Sequence, residues 1–365
     1  MSNYFSADYS EILNKIDAID PIKYGHSRNY IDGAVTYLSP YISRGVISTK
    51  QVLSTVLAKG YKLEQIESFV KELCWRDYFQ RVAQHKNPNT SIKQEQISFS
   101  NKGISTQVLK AETGIIGIDN AIKELYNTGY MHNHCRMYTA FLVCNVAKSH
   151  WHHPAQWMYY HLLDGDWASN ACSWQWVAGA NSSKLYLANQ ENINKYSKTN
   201  QAKTFLAIPY EQIAVMETPN ILLQYQKFEF EFQLPQPTTV KVDKQLPTFI
   251  YNYYNLDPLW HKDEKGNRIL LLDPSIFKLY PVSKKCIDFM LELSKNIKDI
   301  QVYIGSFHEL VAEFSLDKVF FKEHPFNFDY KGTEESRDWI APDVSGYYPS
   351  FFNYWKKVQK VWNLK

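Results

Sequence analysis

The spacing of apolar residues changes near residue 205, and no other feature of the chain limits its possible folds as strongly. Before that point, apolar residues recur at helical intervals in VISTKQVLSTVLAKG, QIESFVKELCWRDYFQRVAQH, GIDNAIKELYNTG and MHNHCRMYTAFLVCNVAKSHW, the mark of a mostly helical part. Over 205–247 the text is punctuated by proline (IPYEQI, FQLPQPTTVKVDKQLP) and reads as a linker or covering segment. Beyond it, FIYNYYNL, RILLLDP, IQVYIG and KVFFKEH read as short strands, with VSKKCIDFMLELSKNI as an amphipathic helix between the second and third. The expectation is a mainly α chain: a helical domain over 1–204, an irregular linker over 205–247 and a small, Rossmann-like α/β domain over 248–365.

Composition narrows the functional classes. An apolar share of 45% in 365 residues suits a globular protein with a real core. The cysteines (Cys74, Cys135, Cys144, Cys172, Cys286) are odd in number, widely spaced and form no CxxC, so neither a disulfide framework nor a zinc site is indicated. The start MSNYFSADYS has no signal-peptide pattern, and no window approaches roughly 18 apolar residues. A cytoplasmic protein without a membrane span is expected. Lys+Arg exceed Asp+Glu by 20 to 16 over residues 1–200 and fall short by 20 to 21 over the rest, which together make the whole-chain 40 and 37. The small basic excess in the first part gives weak support for a polyanionic partner there. There is no internal repeat and no glycine-rich phosphate fingerprint, which argues against a nucleotide-loop enzyme.

Four segments carry candidate chemistry. In TYLSPYISRGVIS, Ser39 is expected as an N-cap and Pro40 as the first helical residue, a helix start able to receive phosphate. In ELCWRDYF, Glu72, Trp75, Arg76 and Phe79 fall on one helical face. In TGYMHNHCRM, Asn133 and Met137 share a face and Arg136 lies one residue round. The histidines His132, His134, His150, His152, His153 and His161 do not place three ligands on one face, so no metal is expected. The fourth segment, DGDWASNACSWQW, packs two aspartates, an asparagine and three tryptophans into thirteen positions. Taken singly, the first two also fit an ordinary capped helix and a helix with surface ion pairs.

Together these segments resemble the FAD-binding domain of the DNA photolyase and cryptochrome family. The resemblance is carried by YGHSRN with TYLSPYISRGVIS, by ELCWRDYF, by TGYMHNHCRM and by LLDGDWASNACSWQW followed by VAG, in the family's order over residues 24–180. It is strongest to the photolyases that act on cyclobutane pyrimidine dimers. It implies a helical photolyase-type FAD-binding domain, with Tyr24, Thr36, Leu38 and Ser39 at the FAD phosphates. Arg136 and Asp164 would lie beside the isoalloxazine ring, Asp166 on its polar edge and Asn170 at N5. Trp174 and Trp151 match the electron-relay tryptophans, and Trp157, Tyr159 and Tyr160 are the candidates for the outer end. Glu72, Trp75, Asn133, Met137 and Trp176 match contacts to the dimer, with Arg76 completing the rim.

The implied activity is light-driven cleavage of pyrimidine dimers in DNA by a monomeric flavoprotein. A cryptochrome-like photoreceptor without repair, and repair of the (6-4) photoproduct, are the alternatives. Asn133 and Met137 stand where the latter would need a histidine pair. The sequence departs from the family at Phe99, where a third relay tryptophan is usual, and at Tyr37, where arginine is usual. The four cysteines of the iron–sulfur branch are also lacking. No α/β antenna domain is expected ahead of the helical motifs. RILLLDPSIF, IQVYIG and KVFFKEH are similar to part of that domain, which leaves a relocated antenna domain and an unrelated appendage both open. Nothing supports a second, light-harvesting antenna chromophore.

Overall fold

A computed structural model describes residues 5–182 and 184–364. The chain forms two compact units that alternate along the sequence. The first takes Ile22–Val35 and Lys86–Phe230; the second takes Phe5–Pro21, Thr36–His85 and the chain from Glu231 onward. This division follows other lines than the boundaries at 204 and 247 expected from sequence, because side-chain packing, not chain order, decides which segments share a core.

In the first unit the main helices are Ile116–Thr128, Asn133–Phe141, His152–His161, Trp167–Val177 and Gln190–Ser197. Helix Ile116–Thr128 ends at Gly129, whose left-handed φ of 75° returns its N–H to the Leu125 carbonyl. A Cβ at Gly129 would come within 2.7 Å of Leu163, so only glycine closes this turn. Trp167–Val177 shows no single apolar face, and seven of its eleven residues are buried. Trp151, Trp157, Trp167 and Trp174 are among the largest fully enclosed side chains of the chain.

Two expectations need correction here. The helix read as running to Trp151 stops at Phe141, opens into a wider π turn over Leu142–Val146, and breaks at Lys148 with φ of 53°. Asn145 holds that turn, its amide donating to the carbonyls of Val177 at 3.0 Å and Tyr186 at 2.8 Å. The segment read as irregular also contains a helix, Tyr210–Val215, and a strand. That strand, β2 (Tyr225–Gln226), pairs antiparallel with β1 (Ile104–Ser105).

The second unit combines helices with a parallel sheet. Its strands are β3 (Thr248–Tyr251), β4 (Asn267–Leu272), β5 (Ile300–Ile304), β6 (Val319–Lys322) and β7 (Thr333–Glu335), ordered β5-β4-β3-β6-β7 and parallel throughout. All residues of β3 and β4 are buried, as a parallel sheet covered on both faces requires. Even Arg268 within β4 is enclosed, its guanidinium donating to the carbonyls of Glu264 and His261. The first four strands coincide with those read from sequence. β7, with the polar sequence TEE, carries no strand-like pattern and was not expected.

Helices Thr49–Ala58 and Glu67–His85 belong to this unit and are fastened to its later residues. Gly45, at φ of 66°, approaches so closely that a Cβ there would meet the Tyr254 carbonyl at 2.4 Å. Beside it the Arg44 guanidinium lies 3.5 Å over the Tyr253 ring. Asp77 is buried and accepts hydrogen bonds from the Thr49 hydroxyl at 2.9 Å and the Ile340 N–H at 2.7 Å. A last helix, Phe351–Val361, turns Phe351, Tyr354, Trp355 and Val358 inward at i, i+3, i+4 and i+7. Among the described residues no helix is long and apolar enough to cross a membrane.

Candidate functional site

The sequence segment DGDWASN becomes a turn leading into helix Trp167–Val177. Asp166 caps that helix, its carboxylate accepting from the Ser169 N–H at 2.8 Å. Two residues earlier, Asp164 is almost wholly enclosed, with 1% of its side chain exposed. It receives Arg136, whose Nη2 lies 3.0 and 2.9 Å from the two carboxylate oxygens. The Arg136 Nε donates in turn to the Met131 carbonyl at 2.7 Å. Enclosing such a pair costs several kcal/mol of desolvation per ion unless geometry and further hydrogen bonds offset it. A cluster of this kind is therefore better explained by use than by stability.

The neighbours of this pair follow from helix geometry. Asn170 lies one turn beyond Asp166, with its N–H on the Asp166 carbonyl at 2.9 Å and its Nδ2 donating to the Ala155 carbonyl at 2.8 Å. Trp174 lies one turn further and is buried, whereas Trp176 is 41% exposed and tilts against Tyr186 at 5.7 Å. Trp151 is enclosed where the preceding helix, His152–His161, begins. Trp157 is enclosed within that helix, and its indole N–H donates to the Tyr126 hydroxyl at 3.1 Å. That hydroxyl donates to the Leu109 carbonyl at 2.8 Å, and burial pushes its pKa up to about 12. Tyr126 had no place in the sequence reading, since only the packing reveals the pair.

Asn133 is exposed at the start of its helix, and Met137 is half-buried one turn later. The helix is capped by His132, whose Nδ1 accepts from the His134 N–H at 3.2 Å. Burial, reinforced by His134 and Arg136, holds the His132 pKa down at about 4, which keeps the imidazole neutral and able to accept. Tyr24 is half-buried in helix Pro21–Ser27. Among the described residues no group of three His, Cys, Asp or Glu side chains is arranged to hold a metal ion.

The second unit holds the remaining candidates. Thr36, Leu38 and Ser39 lie at the entry to helix Ser39–Ser43. Here the expected cap is corrected: Leu38 already has helical dihedrals, φ −88° and ψ −9°, so it occupies the cap position and Ser39 is the first helical residue. No side chain caps this five-residue helix, so its first N–H groups have no side-chain acceptor. One residue before Leu38, Tyr37 takes a left-handed φ of 53°. Glu72, Trp75 and Arg76 are half-buried on helix Glu67–His85. Arg76 donates to the Ser43 hydroxyl at 3.0 Å. Trp75 packs on Phe79 at 5.2 Å and lies parallel to Phe351, with centroids 3.9 Å apart and planes 10° apart. Sequence reasoning missed that last contact entirely.

The same unit has a crevice at the carboxyl ends of β3 and β6, where the strand order reverses, a place where open parallel sheets take ligands. Its lysine is already committed, with Lys322 lying 2.8 Å from Asp257 and 3.6 Å from Asp338.

Residues 69–208 match the family described as the FAD binding domain of DNA photolyase. This segment belongs to the photolyase family. It takes in Glu72, Trp75, Arg76, Asn133, Met137, the Arg136–Asp164 pair, Asp166, Asn170 and the four tryptophans Trp151, Trp157, Trp174 and Trp176, and leaves out Tyr24, Thr36, Leu38 and Ser39. The chain is similar to a deoxyribodipyrimidine photo-lyase of Buchnera aphidicola, 31% identical over 183 residues, covering 45% of this chain and 37% of the relative. It is also similar to one of Agrobacterium fabrum, 28% identical over 196 residues, covering 48% and 41%. A third similar protein is a cryptochrome DASH of Ostreococcus tauri, 32% identical over 173 residues, covering 45% and 31%. The chain thus spans well under half the length of these relatives. Among solved structures, a Synechocystis cryptochrome aligns over 53% of this chain and 44% of its own, at 22% identity and a TM-score of 0.47.

The photolyase family binds FAD, and the donor set of the first unit fits the polar edge of a flavin. A flavin presents carbonyl oxygens and ring nitrogens there, and the site offers a guanidinium fixed by a buried carboxylate, a second carboxylate and a neutral amide.

Proposed function

We propose that this chain binds FAD and repairs cyclobutane pyrimidine dimers in DNA under light. The observation that carries the reading is the enclosed Arg136–Asp164 pair, continued along the chain by Asp166 and Asn170. Arg136 and Asp164 would orient the polar edge of the flavin, with Asp166 and Asn170 completing it, and Tyr24, Thr36, Leu38 and Ser39 would reach its phosphates. Bound FAD, reduced and excited, would lend the electron that opens the dimer and would take it back once the ring has split. Trp174, Trp151 and Trp157 would pass electrons inward to keep it reduced.

For the lesion, Trp75 and Trp176 would form aromatic walls, each stacking contact contributing about 1–3 kcal/mol per base. A dimer is poorly stacked and poorly paired, so turning it out of the duplex costs less than for normal bases. Glu72 would face the dimer's carbonyl edge, with Asn133, Met137 and Arg76 as further contacts. A light sensor without repair is the second reading, favoured by the similarity to a cryptochrome DASH.

The deciding experiment loads the full chain with FAD, reduces it chemically and illuminates it with dimer-containing DNA. Loss of dimers only in the light is expected. A flavin that photoreduces while the dimers persist would replace repair by sensing.

A further inference from the structure

We infer that helix Phe351–Val361 is a contact surface for the DNA backbone, an inference that rests on the reading above. The first observation is charge. From Val344 to Leu364 the sequence has Lys356, Lys357 and Lys360 and no Asp or Glu, although the whole chain carries only +3. Soluble surfaces ordinarily intersperse both signs, and a run that excludes one sign selects a partner of the other. One lysine in the last turn is accounted for by the helix dipole, but Lys356 and Lys357 lie in the middle of the helix.

The second observation is where this helix is anchored. Its inner face lies on helix Glu67–His85, with Phe351 stacked on Trp75 at 3.9 Å and Tyr354 against Tyr78 at 5.9 Å. Its outer face shows Phe352, 63% exposed, together with the exposed Lys356, Lys357 and Lys360. Phe352, Lys356 and Lys360 follow one another at i+4, so they form one stripe with a rise of about 6 Å per step. The Phe351–Trp75 stack fixes that stripe in register with the helix that carries Glu72, Trp75 and Arg76. A duplex presenting a turned-out dimer to Trp75 would bring its flanking phosphates to a basic face already in place. An anionic membrane is the less suitable partner, since the apolar side of the helix is spent on packing and Phe352 alone remains to insert.

The test compares the full-length protein with a Lys356→Gln/Lys357→Gln/Lys360→Gln variant, using undamaged and dimer-containing duplexes over a range of salt. The positions are exposed, so an unchanged thermal midpoint is the folding control, and a triple Lys→Arg variant is the charge control. Each phosphate that the variant no longer neutralises should flatten the slope of log affinity against log salt by about 0.9, for a total of roughly 2 to 3. Affinity for both duplexes should fall by the same factor, and the arginine variant should retain the wild-type slope. An unchanged slope in the glutamine variant would overturn the inference. So would lysine-dependent binding to phosphatidylserine vesicles without any change in DNA binding. If the wild type repairs nothing, the repair reading falls, while the slope on undamaged duplex still reports on the helix.

Discussion

Asp164 is nearly enclosed and has Arg136 directly on its two oxygens, so the pair can be tested apart from any turnover. Asp164→Ala takes the carboxylate from a guanidinium still held at the Met131 carbonyl, and since Arg136 remains 21% exposed the destabilisation should lie near the lower end of the range for broken buried pairs, about 3 kcal/mol. Chemical denaturation would measure that change, and flavin content after desalting should drop with it. Trp174→Phe should leave flavin content intact and slow photoreduction of the oxidised flavin strongly, as followed by absorbance under blue light; an unaltered rate would assign the donor elsewhere. The pairing of Arg136 with Asp164 was legible in the sequence, and the structure brings those two side chains together; the roles expected of Asp166, Asn170 and Trp174 are what such variants would test. The cap was placed one residue late: cap preference describes a residue in extended geometry, whereas Leu38 holds the cap position with helical dihedrals and Ser39 is already in the helix. The Trp157–Tyr126 hydrogen bond joins positions 31 apart and left no trace in either local sequence.

Among the elements, helix Asn133–Phe141 offers a sharp pH test. Its cap is the neutral His132, whose pKa in the fold is about 4 against an ordinary value near 6.5. The unfolded chain therefore takes up a proton where the folded chain does not, so the His132 contribution is whole above pH 6.5 and is lost as pH falls towards 4. A separation of that size corresponds to about 3 kcal/mol. His152, also held down at about 4 by burial and by His150 and His153, should act in the same direction. His132→Asn keeps a good capping side chain but cannot titrate there, so its denaturation midpoint should decline less steeply than the wild type between pH 6.5 and 4. Parallel curves would exclude His132 as the source. Helix existence was readable wherever apolar residues kept one face, as in Ile116–Thr128 and Glu67–His85. It was missed in Phe351–Val361, where four aromatic residues crowd the first five positions and obscure the helical spacing kept by Phe351, Tyr354, Trp355 and Val358.

At the scale of the whole chain, the change of pattern near residue 205 announced a small α/β unit, and four of the five strands of its sheet were found. What spacing could not convey is that helices Thr49–Ala58 and Glu67–His85 share a compact unit with that sheet, because periodicity carries no information about distant partners. A protein cut after Leu246 should therefore fail as a whole in the second unit. Its helices would lose the Phe351 and Tyr354 rings, and Asp77 would lose the Ile340 N–H. Disappearance of a cooperative melting transition, with strong binding of a hydrophobic dye, is the expected result; a sharp transition in the cut protein would show that the early helices stand alone. The Asp77–Ile340 bond spans 263 positions. At the roughly 5–20 residues per second of protein synthesis, the ribosome needs about a quarter of a minute to a minute to cover that interval. Throughout it, Trp75 and Tyr78 are already made while the Phe351 and Tyr354 rings that pack on them do not yet exist, which leaves the newborn chain with exposed aromatic surface of the kind that promotes aggregation.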